Sequence, residues 1–149
     1  GFGSRLTEEL REKRGLTYGI YTWLAPGDFG ALYAGQFSSA NDRVAEAIDL
    51  VRTEWQRMAT EDVSEAELDA SKRYLTGAYP LRFASNGSIA SQLLGLQTAG
   101  LDRSYVNERN ALVEAVTVED IRRVAQRILA PDQLSWTVVG RPDGVEATN

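Results

Sequence analysis

The chain has 149 residues, with 16 Lys and Arg against 21 Asp and Glu and a formal net charge of −5, so it lacks the basic excess of a dedicated nucleic-acid binder. Hydrophobic residues make up 43% and charged residues 25%, ordinary globular usage that can build a core and sets a ceiling of one domain. Cys and His are both absent, which excludes disulfides and thiolate chemistry and leaves imidazole-dependent zinc sites and Ser or Cys triads incomplete within these residues; only carboxylate-based catalysis stays open.

No apolar run approaches the ~18 residues of a membrane span, and no basic-then-apolar stretch opens the chain as a signal peptide would. The start, Gly1-Phe2-Gly3, has no Met and runs straight into a helix-like pattern, which reads as a cut rather than a natural beginning. Phe2, Leu6 and Leu10 fall four apart on one face, Glu9 and Lys13 can pair at i,i+4 on the other, and Gly15 supplies a C-cap. From Leu16 to Phe37 the residues turn to β-formers. Thr17 to Trp23 and Phe29 to Phe37 flank Ala25-Pro26-Gly27-Asp28, predicting an antiparallel hairpin with apolar groups on both faces.

Asn41 or Asp42 can cap a helix whose stripe is Val44, Ile48, Val51 and Trp55. Ser64 with Glu67 makes a capping box and Val63 with Leu68 a hydrophobic staple for the next helix, which Pro80 ends. Asn86-Gly87-Ser88 opens a helix carrying Ile89, Leu93 and Leu96 up to Gly100, and a shorter piece covers Ser104 to Leu112. Thr117 and Asp120 repeat the cap, Val116 and Ile121 the staple, ahead of a stripe of Ile121, Val124 and Ile128 that stops at Pro131. Leu134 to Val139 alternates as a strand. About five helices against three strands is an α+β pattern with a thin sheet, and additional strands outside the chain would balance it.

Arg11 and Tyr18 carry the most chemical promise. They lie seven positions apart across a helix-to-strand reversal at Gly15, which can bring a guanidinium and a phenol to one side as fixed donors for a carbonyl or oxyanion. An exposed Arg beside a half-buried strand Tyr is the plainer reading of the same spacing. The carboxylates Glu8, Glu9 and Glu12 fit a solvated helix face better than an acid/base pair, and those between Glu61 and Asp69 fit a helix start. Asn86-Gly87-Ser88 also satisfies the glycosylation tripeptide, a weak pattern. Tyr21, Trp23 and Tyr33 suit either a peptide groove or core and interdomain packing, the second being preferred.

Gly3-Ser4-Arg5-Leu6 followed by Leu10-Arg11-Glu12-Lys13-Arg14-Gly15-Leu16-Thr17-Tyr18 resembles the second-half signature of the pitrilysin/insulinase family of zinc metallopeptidases, and the later segments agree in order over nearly the whole chain. The resemblance implies a small mainly antiparallel sheet packed with helices, as in mitochondrial processing peptidase. It implies that residues 1–149 are a single, N-terminally truncated, C-terminal non-catalytic domain from a clamshell of two halves. In that family one half carries an HxxEH zinc site and the other an Arg and a Tyr that reach the peptide, so Arg11 and Tyr18 are implied as substrate-binding residues. With no His there is no HxxEH; no residue here is catalytic or a metal ligand, and zinc and hydrolysis belong to a catalytic half or partner subunit. The alternative is a structural or interaction domain of a catalytically dead family member. Besides the zinc-bearing half and a peptide, the expected partner is a second copy of the chain through an open sheet edge. Nucleic acid and a membrane span are not expected, and a periplasmic or other non-cytoplasmic location is compatible with the resemblance.

Overall fold

The computed structural model describes residues 4–27 and 29–147, so the expectations resting on Gly1 to Gly3 and on Asp28 lie outside the described residues. The fold is α+β and gathers into two compact units. One takes in the chain up to Thr60 and again from Gln126, the other Glu61–Ala125.

The first unit opens with a π-helix, Thr7–Lys13, where a plain α-helix was expected. The wider winding accounts for its charge pairing. Glu9 takes Lys13 Nζ at 2.6 Å, the expected i,i+4 pair, and also Arg14 Nη1 at 2.5 Å, while Glu8 takes Lys13 Nζ at 3.0 Å. The last two pairs are i,i+5, the spacing that π winding brings into line. Leu10 is fully buried and Thr7 nearly so. Gly15, at φ 61°, stops the helix as expected, its N–H donating to Arg11 O at 3.0 Å and Leu16 N–H to Leu10 O at 2.7 Å. This is a Schellman-type closure widened by one residue.

An antiparallel hairpin follows, β1 (Ile20–Ala25) and β2 (Leu32–Phe37), in a two-stranded sheet with Ile20 opposite Phe37 and Tyr21 opposite Gln36. Strand alternation divides the aromatics. Tyr33 stacks on Trp55 at 5.3 Å and donates its hydroxyl to Thr22, so that face covers α1 (Val44–Thr60). Tyr21 and Trp23 lie on the other face, 65% and 44% exposed. Of the stripe expected on α1, Ile48, Val51 and Trp55 are buried and Val44 is half-buried, and Ala47 and Glu54 are buried as well. Glu54 is tied to Arg57 at 2.7 Å. Neither Asn41 nor Asp42 caps α1 through its side chain; Asn41 instead accepts the Asp143 N–H at its backbone oxygen.

In the second unit the caps are where the spacing put them. Ser64 accepts the Glu67 N–H at 3.2 Å at the start of α2 (Glu65–Ala78), with Val63 and Leu68 buried beside it. After α2 comes a 3-10 turn, Pro80–Phe83. Pro80 has no N–H for the Thr76 carbonyl, and Asn110 of α4 (Tyr105–Glu114) supplies a donor to it at 3.3 Å while Arg109 donates to Leu75 O at 3.2 Å. The Arg109 guanidinium also lies over the Tyr79 ring, 4.3 Å from its centre. The α3 helix (Asn86–Thr98) opens at Asn86-Gly87-Ser88 as expected, and Ser85 caps it, its Oγ accepting the Ser88 N–H at 3.1 Å. It closes in a Schellman motif at Gly100, φ 69°, with Leu101 N–H on Leu96 O. Thr117 and Asp120 form a complete reciprocal box for α5 (Val118–Ile128). The buried residues near its end are Ala125 and Leu129, whereas the expected Ile128 is 43% exposed.

A 3-10 turn, Pro131–Gln133, leads into Leu134–Val139. That segment is extended at its start, yet it joins no sheet, contrary to the strand expected there. A strand needs a hydrogen-bonded neighbour, and among the described residues it has none.

Candidate peptide-holding segment

Arg11 lies on the π-helix, and its side chain retains 36% exposure beside Glu12, the closest approach being 3.5 Å from Nε. Because its carbonyl receives the Gly15 and Arg14 N–H groups, the backbone that carries the guanidinium is held at the point where the chain reverses.

Tyr18 lies outside the strand in which it was expected. Thr17 is buried, and its hydroxyl donates to Gly19 O at 2.8 Å and accepts Gly19 N–H at 3.1 Å. This local turn outcompetes strand geometry and delays β1 to Ile20. Ser39 Oγ adds a bond to Leu16 O at 2.7 Å. Tyr18 therefore sits at the tip of a doubly tied turn with 99% of its surface exposed, which overturns the half-buried strand Tyr. No hydrogen bond joins Tyr18 to Arg11 within the structure; the phenol and the guanidinium are separate donors on consecutive elements.

Beside Tyr18 is an open depression of about 370 Å³ lined by Thr17, Gly19, Tyr21, Gln36, Phe37 and Ser38. Of these, Tyr21 stands out in the sequence as an aromatic; Gln36 and Ser38 do not, and only the register opposite Tyr21 identifies Gln36. The carboxylates nearest in sequence are committed to cations. Lys13 first and then Arg14 hold Glu9 below its ordinary carboxylate range, and Glu9 with Glu8 raises the Lys13 ammonium. They serve the helix as ion pairs and are not poised as a general acid and base.

Zinc does not fit these residues. With neither His nor Cys in the chain and no cluster of three or more Asp or Glu able to hold a metal among the described residues, the donor set of a catalytic zinc site cannot be assembled from them. Among the described residues no helix is long and apolar enough to cross a membrane.

Residues 1–75 match the family model described as the Peptidase M16 inactive domain. An uncharacterized zinc protease of Streptomyces coelicolor is 29% identical over 94% of the chain and 30% of its own length. A non-peptidase homolog of Helicobacter pylori is 30% identical over 62% of the chain and 21% of its own length. The crystal structure of a peptidase M16 inactive domain from Pseudomonas fluorescens superimposes with a TM-score of 0.78 at 30% identity, over 89% of the chain and 32% of that one. The chain spans about 30% of the length of the first curated relatives it matches. It belongs to the Peptidase M16 inactive-domain family of the pitrilysin-type zinc proteases.

Proposed function

We propose that the chain is the substrate-binding, non-catalytic half of a zinc-dependent metalloendopeptidase, in which Arg11 and Tyr18 hold the peptide and the hydrolytic centre is supplied by another part of the protein or by a partner subunit. The observation that carries this reading is the exposure of Tyr18 on a turn fixed by Thr17 and Ser39. A phenol so placed contributes little to the core, and its hydroxyl is free to donate to a peptide carbonyl. Arg11, one reversal earlier, offers a planar set of donors suited to a carbonyl or a developing oxyanion. In the full-length protein with a quenched fluorescent peptide, Arg11→Ala is expected to lower kcat/KM by roughly ten- to a thousand-fold. Arg11→Lys should restore only part of the loss, because an ammonium cannot reproduce the fork. Parental rates in both variants would remove Arg11 from the reading.

A second reading is favoured by the similarity to a protein described as a non-peptidase homolog: a domain that serves assembly in a catalytically silent protein. Elemental analysis separates the two. A full-length protein or complex with one zinc per catalytic half and peptidase activity supports the first, and a zinc-free, inactive one supports the second.

A further inference from the structure

The Tyr21 side chain does not stand straight out from β1. A β-carbon on Gly19 would lie 3.0 Å from the Tyr21 hydroxyl and 3.2 Å from its Cε2, so the ring leans back over Gly19, toward the Tyr18 end of the strand. Gly19 has no positive φ, and what its position requires is therefore space for that ring rather than a left-handed backbone. The crowding that a β-carbon would cause falls on the far end of a flexible, 65% exposed side chain. An alanine at 19 is accommodated by moving the ring, with the backbone in place.

Held in this way, Tyr21 walls the depression of about 370 Å³ that Tyr18 also lines, together with Gln36, the half-buried Phe37 and Ser38. Every residue lining it is uncharged. The side chains of Tyr21, Gln36 and Ser38 make no hydrogen bond to any described residue, so they present neutral donors and acceptors, while the rings of Tyr21 and Phe37 present apolar surface. A large uncharged side chain finds partners for both its polar and its apolar parts there. Asp, Glu, Lys or Arg would give up hydration with no opposite charge to receive it. Because the depression is continuous with the phenol assigned to the peptide, the side chain that fills it belongs to the same peptide.

We propose that this depression is a specificity subsite that takes a large uncharged side chain of the peptide, with Tyr21 as its wall and Gly19 as the residue that positions Tyr21. The proposal rests on the peptide-holding reading of Tyr18 given above. It is tested in the full-length protein with short quenched fluorescent peptides that carry Tyr, Gln, Glu or Lys at each position in turn. At one position the parent should favour Tyr and Gln over Glu and Lys by roughly tenfold or more in kcat/KM. Tyr21→Ala and Gly19→Ala should each bring that preference close to unity at parental Tm, while Tyr21→Phe, which keeps the wall, retains it. Tyr18→Phe should instead slow every peptide alike and leave the preference as it was. A preference that is absent from the parent, or unchanged in both Tyr21→Ala and Gly19→Ala, would overturn the subsite even where Tyr18→Phe slows cleavage and upholds the peptide-holding reading. Loss of the preference in those two variants, with Tyr18→Phe at the parental rate, would uphold the subsite and remove Tyr18 from that reading. If no peptide is cleaved, fluorescence anisotropy of the same peptides gives the comparison as ratios of Kd, and failure to bind any of them would overturn the proposal.

Discussion

Two stretches of the first unit, Thr7 to Gly19 and Leu134 to Val139, have opposite ways of satisfying their polar groups. In the first, Glu9 holds Lys13 and Arg14, Gly15 closes the helix, and Thr17 bonds both polar groups of Gly19; almost every bond spans five residues or fewer. The second has β-forming side chains and, among the described residues, nothing to pair with. Helical turns and caps complete themselves from near neighbours, whereas a strand is finished only by another strand. The chemistry assigned to Arg11 and Tyr18 rests on the self-contained stretch.

Substitution can sharpen that contrast, and the largest effect is expected at Leu10, which is completely buried. Leu10→Ala should destabilise the 149-residue chain by about 2–5 kcal/mol in urea unfolding, while Val139→Ala, at a side chain 95% exposed, should stay within about 0.5 kcal/mol. A substantial loss at Val139 would show that the segment already packs. Next comes Gly15→Ala, which forces a Cβ into φ 61° and is expected to cost about 1–2 kcal/mol; no clash opposes it, since nothing lies within 4 Å of the added carbon. Thr17→Ala removes two hydrogen bonds at a buried position and should cost about 1 kcal/mol, with near-ultraviolet dichroism reporting any loosening of the adjoining tyrosines.

The smallest effect is on pH dependence. Glu9 titrates below its ordinary value of 4.5 when folded, chiefly because of its bond to Lys13 and then Arg14. A depressed carboxylate contributes stability that is fully present above its unfolded pKa and is lost as the pH falls through the folded one. The wild-type chain should therefore lose stability below pH 4.5 more steeply than Glu9→Gln, and salt should narrow the gap because the pair is close to solvent. Parallel acid titrations of Tm would check it.

The same contrast explains what the sequence made legible. Ser64 with Glu67, Thr117 with Asp120, and the glycines 15 and 100 act on residues a turn away, so spacing alone locates them. Leu6 and Leu10, four apart, fit α and π windings equally, and it is the i,i+5 pairing of Glu9 with Arg14 that marks the difference. Tyr18 leaves the expected strand because Thr17 favours strands by its branching and turns by its hydroxyl, and the bonds of that hydroxyl to Gly19 decide the competition. Ile128 fits the stripe expected on α5 but is exposed, since its neighbours Ala125 and Leu129 take the covered face. Arg11 and Tyr18 could be picked out from their spacing and the surrounding string, whereas the depression that joins Tyr18 to Gln36 and Ser38 depends on hairpin register.

The most direct test of the peptide-holding role is Tyr18→Phe in the full-length protein, because it removes a hydroxyl that bonds to no described residue and keeps the ring. With the peptide-holding role, kcat/KM toward a quenched fluorescent peptide falls by roughly ten- to a thousand-fold, with zinc content and Tm at parental values. Cleavage at the parental rate would contradict it and leave Tyr18 an exposed side chain without a role in substrate binding.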